Sequence, residues 1–417
     1  MLFAEIVIFL EFRVKKLTML FLLQKIYSIA YRQSVRGCTL SFLLIMVFSC
    51  SNEQVKNTNI TSNGIDITSS TLELYLDSFT SFGPEINISG ITENNNIIFT
   101  NTINHSIDYY SLTNGNLAER IDIPKEGVGG IELPAGALEL SEDSILIFNK
   151  FVLNEAKVLN KRNRSVIDAG FFGNWNAYND NLINVVCSSL TQPILFEDKI
   201  YLLNWPLGAA LFSSDSSPII EFEFDRTSKL LAPLPVHYPE IYFRKKHQDY
   251  LTLPMRTYNP QTSQLVYSWP LYDGLGIWNI VTKDFNFIKI KDTSLAATTF
   301  PENESESWKE VLESLHYNGI LFDSINKLYY RFYFLPIKDY SKKYENEPFP
   351  IYHMTLGIQV IDINFKELGI IKTKGDTYDF ARSFVHKGKL YLSKNNMYNK
   401  DLEENILKYD VIEIQVN

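Results

Sequence analysis

The chain has 417 residues, 45% of them hydrophobic and 14% aromatic, with 39 Lys and Arg against 48 Asp and Glu. A formal net charge of −9 argues against a nucleic-acid partner, because an acidic surface repels phosphate backbones and anionic headgroups alike. The length exceeds the usual size of a single core, so two domains or a repeat architecture is expected.

The first informative stretch is LLIMVFSCSNEQ, Leu43 to Gln54. Its apolar run, Thr39 to Phe48, is about ten residues long, whereas a bilayer-spanning helix needs roughly 20. Arg32 and Arg36 precede the run, and the small residue Ser49 stands immediately before Cys50. The alternative to a secretory signal is a core strand ending in cysteine. The pattern resembles a bacterial lipobox, and that resemblance implies that Cys50 is the lipidated first residue of the mature chain. Residues 1–49 are then the signal peptide. The extra apolar stretch MLFAEIVIFLEF before its charged region suggests Met19 as the true start, and Glu5 and Glu11 argue against a membrane helix there. Residues 50–70, rich in Ser, Asn and Thr, read as lipidated cysteine and flexible tether, and residues 71–417 as the folded domain. Removing residues 1–49 takes six of the 39 basic and two of the 48 acidic residues, leaving a formal charge of −13. Cys38 leaves with the signal and Cys50 carries the lipid, so Cys187, in the apolar INVVCSSL, is a small core residue without a disulfide partner.

From Leu72 onward the chain shows period-2 alternation, β-branched and aromatic enrichment, and polar turns. One phrase recurs: turn residues, an aliphatic anchor, then an aromatic or apolar run. It appears as NNNIIFT, EDSILIF, EDKIYLL, TSQLVYS, INKLYYR and KGKLYLS, with anchors Ile97, Ile145, Ile200, Leu265, Leu328 and Leu390 spaced by 48, 55, 65, 63 and 62 residues. Before each phrase lies a short segment such as INISGIT, AGALELS or NGILFDS; after it comes a third strand, and in most units a fourth such as LAERIDI, FNFIKIK or LGIIKTK. Unit two, with VLNKRNRSVI, is the weakest copy. Four antiparallel strands per unit make a propeller blade, so the fold expected is an all-β, six-bladed β-propeller. The last unit lacks a fourth strand, which the N-terminal strand TLELYLD, bearing Leu72, Leu74 and Leu76, can supply to close the ring.

ESESWKEVLESLHYNG interrupts the β pattern. Trp308, Val311, Leu312 and Leu315 fall at i, i+3, i+4 and i+7, and Ser307 and Glu310 stand at capping-box spacing, which predicts one short amphipathic helix. The stretches LPVHYPEIYFRKKHQDYLTLP and KDYSKKYENEPFPIYH are expected to be loops over one face. Lipobox, tether and six four-stranded units together resemble the six-bladed, TolB-like propeller lipoproteins, and specifically an uncharacterised family of envelope lipoproteins. The resemblance covers Cys50 to the C-terminus. It implies a monomer in the cell envelope, held on a membrane by its lipid, and carries no catalytic residue across.

The segment before each phrase should line the central channel. Its polar residues include Asn87, Gln192, Arg256, His316, Asn318, Arg382 and His386, with Arg331 on the adjacent strand. Guanidinium groups facing a channel suit a carboxylate or phosphate; the alternative is that each pairs internally with Asp or Glu. No two of the six histidines stand at metal-site spacing, and no P-loop, G-x-S-x-G or calcium loop appears, so no cofactor and no metal site is expected from the motifs, while a calcium ion held in the channel by carboxylates and carbonyls of several blades stays an open alternative. The aromatic FFGNWNAYND is a surface loop or a sugar-stacking one. The function expected is an envelope binding or scaffolding protein docking a protein or small anionic ligand. The alternative is a hydrolase or lyase acting on a carbohydrate or lactone, with His316 or His386 as base and Arg256 or Arg382 stabilising developing charge.

Overall fold

The computed structural model describes residues 60–80, 86–127, 129–149, 156–170, 185, 187–205, 218–243, 247, 249–297, 308–338, 344, 347 and 349–415. The expected signal, Cys50, the first part of the tether and the FFGNWNAYND segment lie outside them. Two strands come first, β1 (Ile60–Asn63) and β2 (Asp66–Tyr75). Blade 1 holds β3 (Ile86–Ile91), β4 (Asn96–Asn101), β5 (Ser106–Ser111) and β6 (Leu117–Asp122). Blade 2 holds β7 (Pro134–Ser141), β8 (Ser144–Asn149), β9 (Lys157–Asn160) and β10 (Val166–Asp168). In blade 3 are β11 (Ile194–Phe196), β12 (Lys199–Leu203), β13 (Glu221–Asp225) and β14 (Leu230–Pro233). Blade 4 comprises β15 (Met255–Asn259), β16 (Gln264–Ser268), β17 (Leu275–Asn279) and β18 (Asp284–Ile288). Blade 5 follows with β19 (His316–Asp323), β20 (Leu328–Leu335), β21 (Thr355–Asp362) and β22 (Glu367–Thr373). The last strands are β23 (Asp379–His386), β24 (Lys389–Ser393) and β25 (Ile406–Gln415).

Every one of the six repeat phrases opens the second strand of a blade, and each preceding segment is the first strand of its sheet. The first strands approach one another around the centre: β3 with β7 and β23, and β19 with β15 and β23. The ring closes as the sequence leads one to expect. Strand β2 pairs antiparallel with β25 along its whole length, from Asp66 opposite Gln415 to Tyr75 opposite Ile406, and completes blade 6.

The tether boundary is corrected. Residues 60–70, expected to be flexible, are β1 and the first half of β2, and β1 adds a fifth strand to blade 5 by pairing Ile60 to Asn63 with Thr373 to Ile370. Their Ser/Thr/Asn composition misled because an edge strand needs backbone pairing more than apolar side chains. Gly64, at φ 84°, turns the chain from one blade edge to the next, and a Cβ there would lie 2.9 Å from Leu368 O.

A turn device repeats more faithfully than the hydrophobic phrase. Asn160, Asp225, Asn259, Asn279 and Asp323 each end a strand, and the Oδ1 of each accepts from the N–H groups two and three residues on. Four residues after each of them stands a left-handed residue: Arg164, Lys229, Ser263, Lys283 and Lys327. The side chain mimics a backbone turn, and the positive φ turns the chain into the next strand. Blade 2 carries this turn within NKRNRS, so the copy with the poorest hydrophobic signal is a complete four-stranded blade.

Apolar clusters lie between neighbouring blades. Ile107 and Ile121 of blade 1 pack with Ile145 and Leu159 of blade 2, and Phe148 of blade 2 packs with Phe222 and Phe224 of blade 3. Alternation along β20 serves two junctions at once: Tyr329 joins Val266 and Leu275 of blade 4, while Tyr330 and Phe332 join Leu390 and Leu392 of blade 6. Cys187 is buried between blades 2 and 3, where the apolar surroundings push its thiol pKa up and leave it unreactive.

The predicted helix is a single turn, α1 (Trp308–Leu312), with Val311 and Leu312 fully buried. It ends early because the Ser314 hydroxyl donates to Val311 O and β19 begins at His316, so Leu315 lies beyond the helix. The stretch 234–254 is not a loose loop. It makes two 3-10 turns, Glu240–Phe243 and Asp249–Thr252, and contributes Tyr238, Tyr242 and Leu251 to the largest core cluster.

Candidate functional site

The turn leading into β11 crosses the centre of the ring. Ser188 and Thr191 hold it: Thr191 Oγ1 accepts from Ser188 N at 3.0 Å, and Ser188 O accepts from Thr191 N at 3.1 Å. From this turn the Ser189 hydroxyl donates to Ala381 O of β23 at 3.1 Å, and Leu190 O accepts from Arg256 N of β15 at 3.2 Å. Leu190 is buried against β19, where Gly319 makes room; a Cβ on Gly319 would sit 2.6 Å from Leu190 Cδ1. A turn from blade 3 thus touches the inner strands of blades 4, 5 and 6 and plugs the channel.

Beside the plug lies a cavity of about 520 Å³. Ile91, Tyr258, Phe322 and His386, at the far ends of four inner strands, form part of its wall, with Ser189 and Gln192 from the plug and Thr257, Ser324 and Arg256 adding polar groups. Its size lies within the range of small-molecule sites, roughly 300–1,000 Å³.

The candidate residues divide sharply. Arg256 lines the cavity, yet its side chain is wholly buried and committed. Nε donates to Glu221 Oε2 at 2.9 Å and Oε1 at 3.1 Å, Nη2 to Glu221 Oε1 and Tyr201 O at 3.0 Å each, and Nη1 to Gln192 O at 2.6 Å. Burial raises the Glu221 carboxyl, and the guanidinium pulls it back. The result is an internal, neutral pair that holds the plug to blades 3 and 4. His386 shares the cavity wall, with Nε2 2.9 Å from Asn95 Oδ1 across the blade 6/blade 1 junction. Burial and then Lys387 lower its pKa, so it is neutral near pH 7.

Five others stand elsewhere. Arg331 is fully buried at the blade 4/blade 5 junction, donating to Ser268 Oγ (2.9 Å), Asp273 O (3.0 Å) and Tyr272 O (2.6 Å) and lying 3.4 Å from the Tyr317 ring centroid. Burial pulls its pKa down to about 10, which leaves it a cation at neutral pH. His316 is fully buried with Nδ1 3.3 Å from Ser314 Oγ and O; burial lowers its pKa to about 4. Asn318 Nδ2 donates to Tyr250 OH, and Arg382 Nη1 lies 3.4 Å from Asp379 Oδ2. Asn87 Nδ2 donates to Ala135 O between blades 1 and 2.

Convergence of arginines and a histidine around one anion site is therefore not what the fold builds. Of the candidate arginines and histidines only Arg256 and His386 meet in this cavity, beside Gln192, and the charge of Arg256 is already spent on Glu221. Ser189, Thr257, Tyr258 and Ser324 escaped the sequence reading. Thr257 and Tyr258 lie within β15 beside Arg256, Ser324 follows the end of β19, and Ser189 sits on a plug that no periodicity announces.

Comparison with known proteins agrees with the fold. A crystal structure of a DUF4221 family member from Bacteroides vulgatus is 19% identical and superposes with a TM-score of 0.66, covering 87% of this chain and all of that one. A candidate exported protein from Bacteroides fragilis (9% identity, TM-score 0.49, 84% and 96% covered) and the calcium-binding protein regucalcin from Agrobacterium tumefaciens (7% identity, TM-score 0.46, 83% and 96% covered) are more distant. No curated protein matches. The family described as a domain of unknown function (DUF4221) matches residues 64–369, well over half of the sequence, and the chain belongs to that family.

Proposed function

We propose that this chain is a lipid-anchored protein of the cell envelope whose propeller binds a small, uncharged polar ligand in the plugged channel and performs no catalysis on it. The observation that carries the reading is the cavity of about 520 Å³, in which Arg256, the one Lys, Arg, Asp or Glu among the lining residues, is neutralised by Glu221. What remains for a ligand is hydroxyl, amide and imidazole groups between apolar walls, a set that matches sugars and other polyols better than anions. A hydrolytic reading in which Arg256 stabilises developing negative charge is weakened, because that guanidinium is already committed to Glu221.

Thermal melting against a panel of neutral saccharides and of carboxylates and phosphates tests the site. At least one neutral compound should raise the midpoint saturably, and Thr257→Trp, which projects an indole into the cavity, should abolish the response. A response to anions alone would sink the uncharged-ligand reading. The anchor rests on Arg32, Arg36, Ser49 and Cys50. Cys50→Ala should move the protein from the membrane to the soluble fraction, and unchanged membrane association would refute it.

A further inference from the structure

At the opposite end of β23 from the channel cavity lies a second, smaller one of about 110 Å³. Its space corresponds to roughly four waters. Five aromatic residues line it, Tyr250, Phe334, Tyr352, Tyr378 and Phe380, together with Asp379. The rings are held in place. Phe334 and Phe380 stand edge to face at 5.3 Å, Tyr378 OH donates to Asp410 Oδ2 at 2.5 Å, and Tyr250 OH accepts from Asn318 Nδ2. His316 backs this wall, with its ring 5.8 Å from Tyr250 and 5.4 Å from Phe334.

Asp379 is buried, and a buried carboxylate calls for strong compensation. Its oxygens receive one backbone N–H, from Ala381 at 3.0 Å, and one contact from Arg382 at 3.4 Å. That is a much looser arrangement than the three contacts of 2.9–3.1 Å between Arg256 and Glu221. A carboxylate has about four acceptor sites, so capacity remains. Burial raises its pKa, and the Arg382 guanidinium draws it back.

We infer that this cavity is a binding site for a small organic ammonium group, with the aromatic walls supplying cation–π attraction and Asp379 the counter-charge. Aromatic rings present negative faces, and a cage of them with one acid selects a methylated ammonium over a neutral group of the same shape. Metal ions fit it less well, because hard cations need several oxygen ligands, and among the described residues no group of three or more His, Cys, Asp or Glu side chains could hold one.

The test is calorimetric titration of the full chain with choline and, separately, with dimethylbutanol, its neutral carbon isostere. Saturable choline binding, at least tenfold tighter than the isostere, is expected. Asp379→Asn should weaken choline at least tenfold, and Thr257→Trp in the other cavity should leave it unchanged. If Asp379→Asn does not fold, Tyr352→Leu at the half-buried edge of the cage carries the same expectation. No saturable choline binding, equal affinity for the isostere, or full affinity in the folded Asp379 variant would overturn the assignment.

Discussion

The junction between blades 3 and 4 and the junction between blades 4 and 5 each bury one arginine, and they do so by opposite means. At the first, Arg256 meets Glu221 in a bidentate ion pair. At the second, Arg331 has no carboxylate hydrogen-bond partner among the described residues; the Tyr272 and Asp273 carbonyls, the Ser268 hydroxyl and the face of Tyr317 receive it. His316, on the inner strand of blade 5, takes a third course and gives up its proton. A basic residue in an inner-strand segment is thus as well explained by sheet-to-sheet bonding as by a ligand. What separates the two is whether its donors are already used.

The largest expected effect breaks the first junction. Glu221→Ala leaves Arg256 as an uncompensated buried charge and should cost about 3–5 kcal/mol in denaturant unfolding. The double variant Arg256→Met/Glu221→Leu should recover most of it, because removing both charges avoids their desolvation. Next, Leu190→Ala removes the side chain that fits against Gly319 and should cost about 3 kcal/mol through the void it leaves. His316 contributes a pH dependence. Its folded pKa of about 4 lies below the unfolded value near 6.5, so below pH 6.5 the unfolded chain takes up a proton that the folded one refuses. Stability should fall by about 2 kcal/mol between pH 7 and 5 from this group, and His316→Leu should flatten that limb; an unchanged slope would contradict the assignment. The smallest effect sharpens the second junction. Arg331→Lys keeps the charge but loses the planar fork and the stacking on Tyr317, for about 1–2 kcal/mol.

How much of this was legible in the sequence follows from which forces act locally. The blades were, because the phrase that carries the anchors from Ile97 to Leu390 recurs once in each unit, as a short apolar run after a polar turn that becomes a strand buried on both faces. The closing strand was, because Leu72, Leu74 and Leu76 alternate on one face and the last unit offers no fourth strand of its own. The edge strand β1 was not, since Ile60 to Asn63 is polar and its pairing with β22 is set by a partner more than 300 residues away. The plug was illegible for the same reason: Ser189 meets Ala381 across the ring, a contact between residues 192 apart in sequence. The candidate residues were chosen as channel-facing polar groups; Arg256, His316, Asn318 and Arg331 are buried, and Arg382 and His386 are half-buried. Their partners, Glu221 on a third strand and the carbonyls of the 269–273 turn, decide what they do, and those partners are assembled only by the tertiary fold.

The most direct measurement of the central claim, that the channel cavity binds through its neutral groups while Arg256 serves the scaffold, compares ligand-induced melting shifts in Arg256→Met/Glu221→Leu and in Thr257→Trp. The account predicts that the double variant keeps the response of the wild type to the neutral compound and that Thr257→Trp loses it. A folded double variant that no longer responds, beside a Thr257→Trp protein that still does, would contradict it.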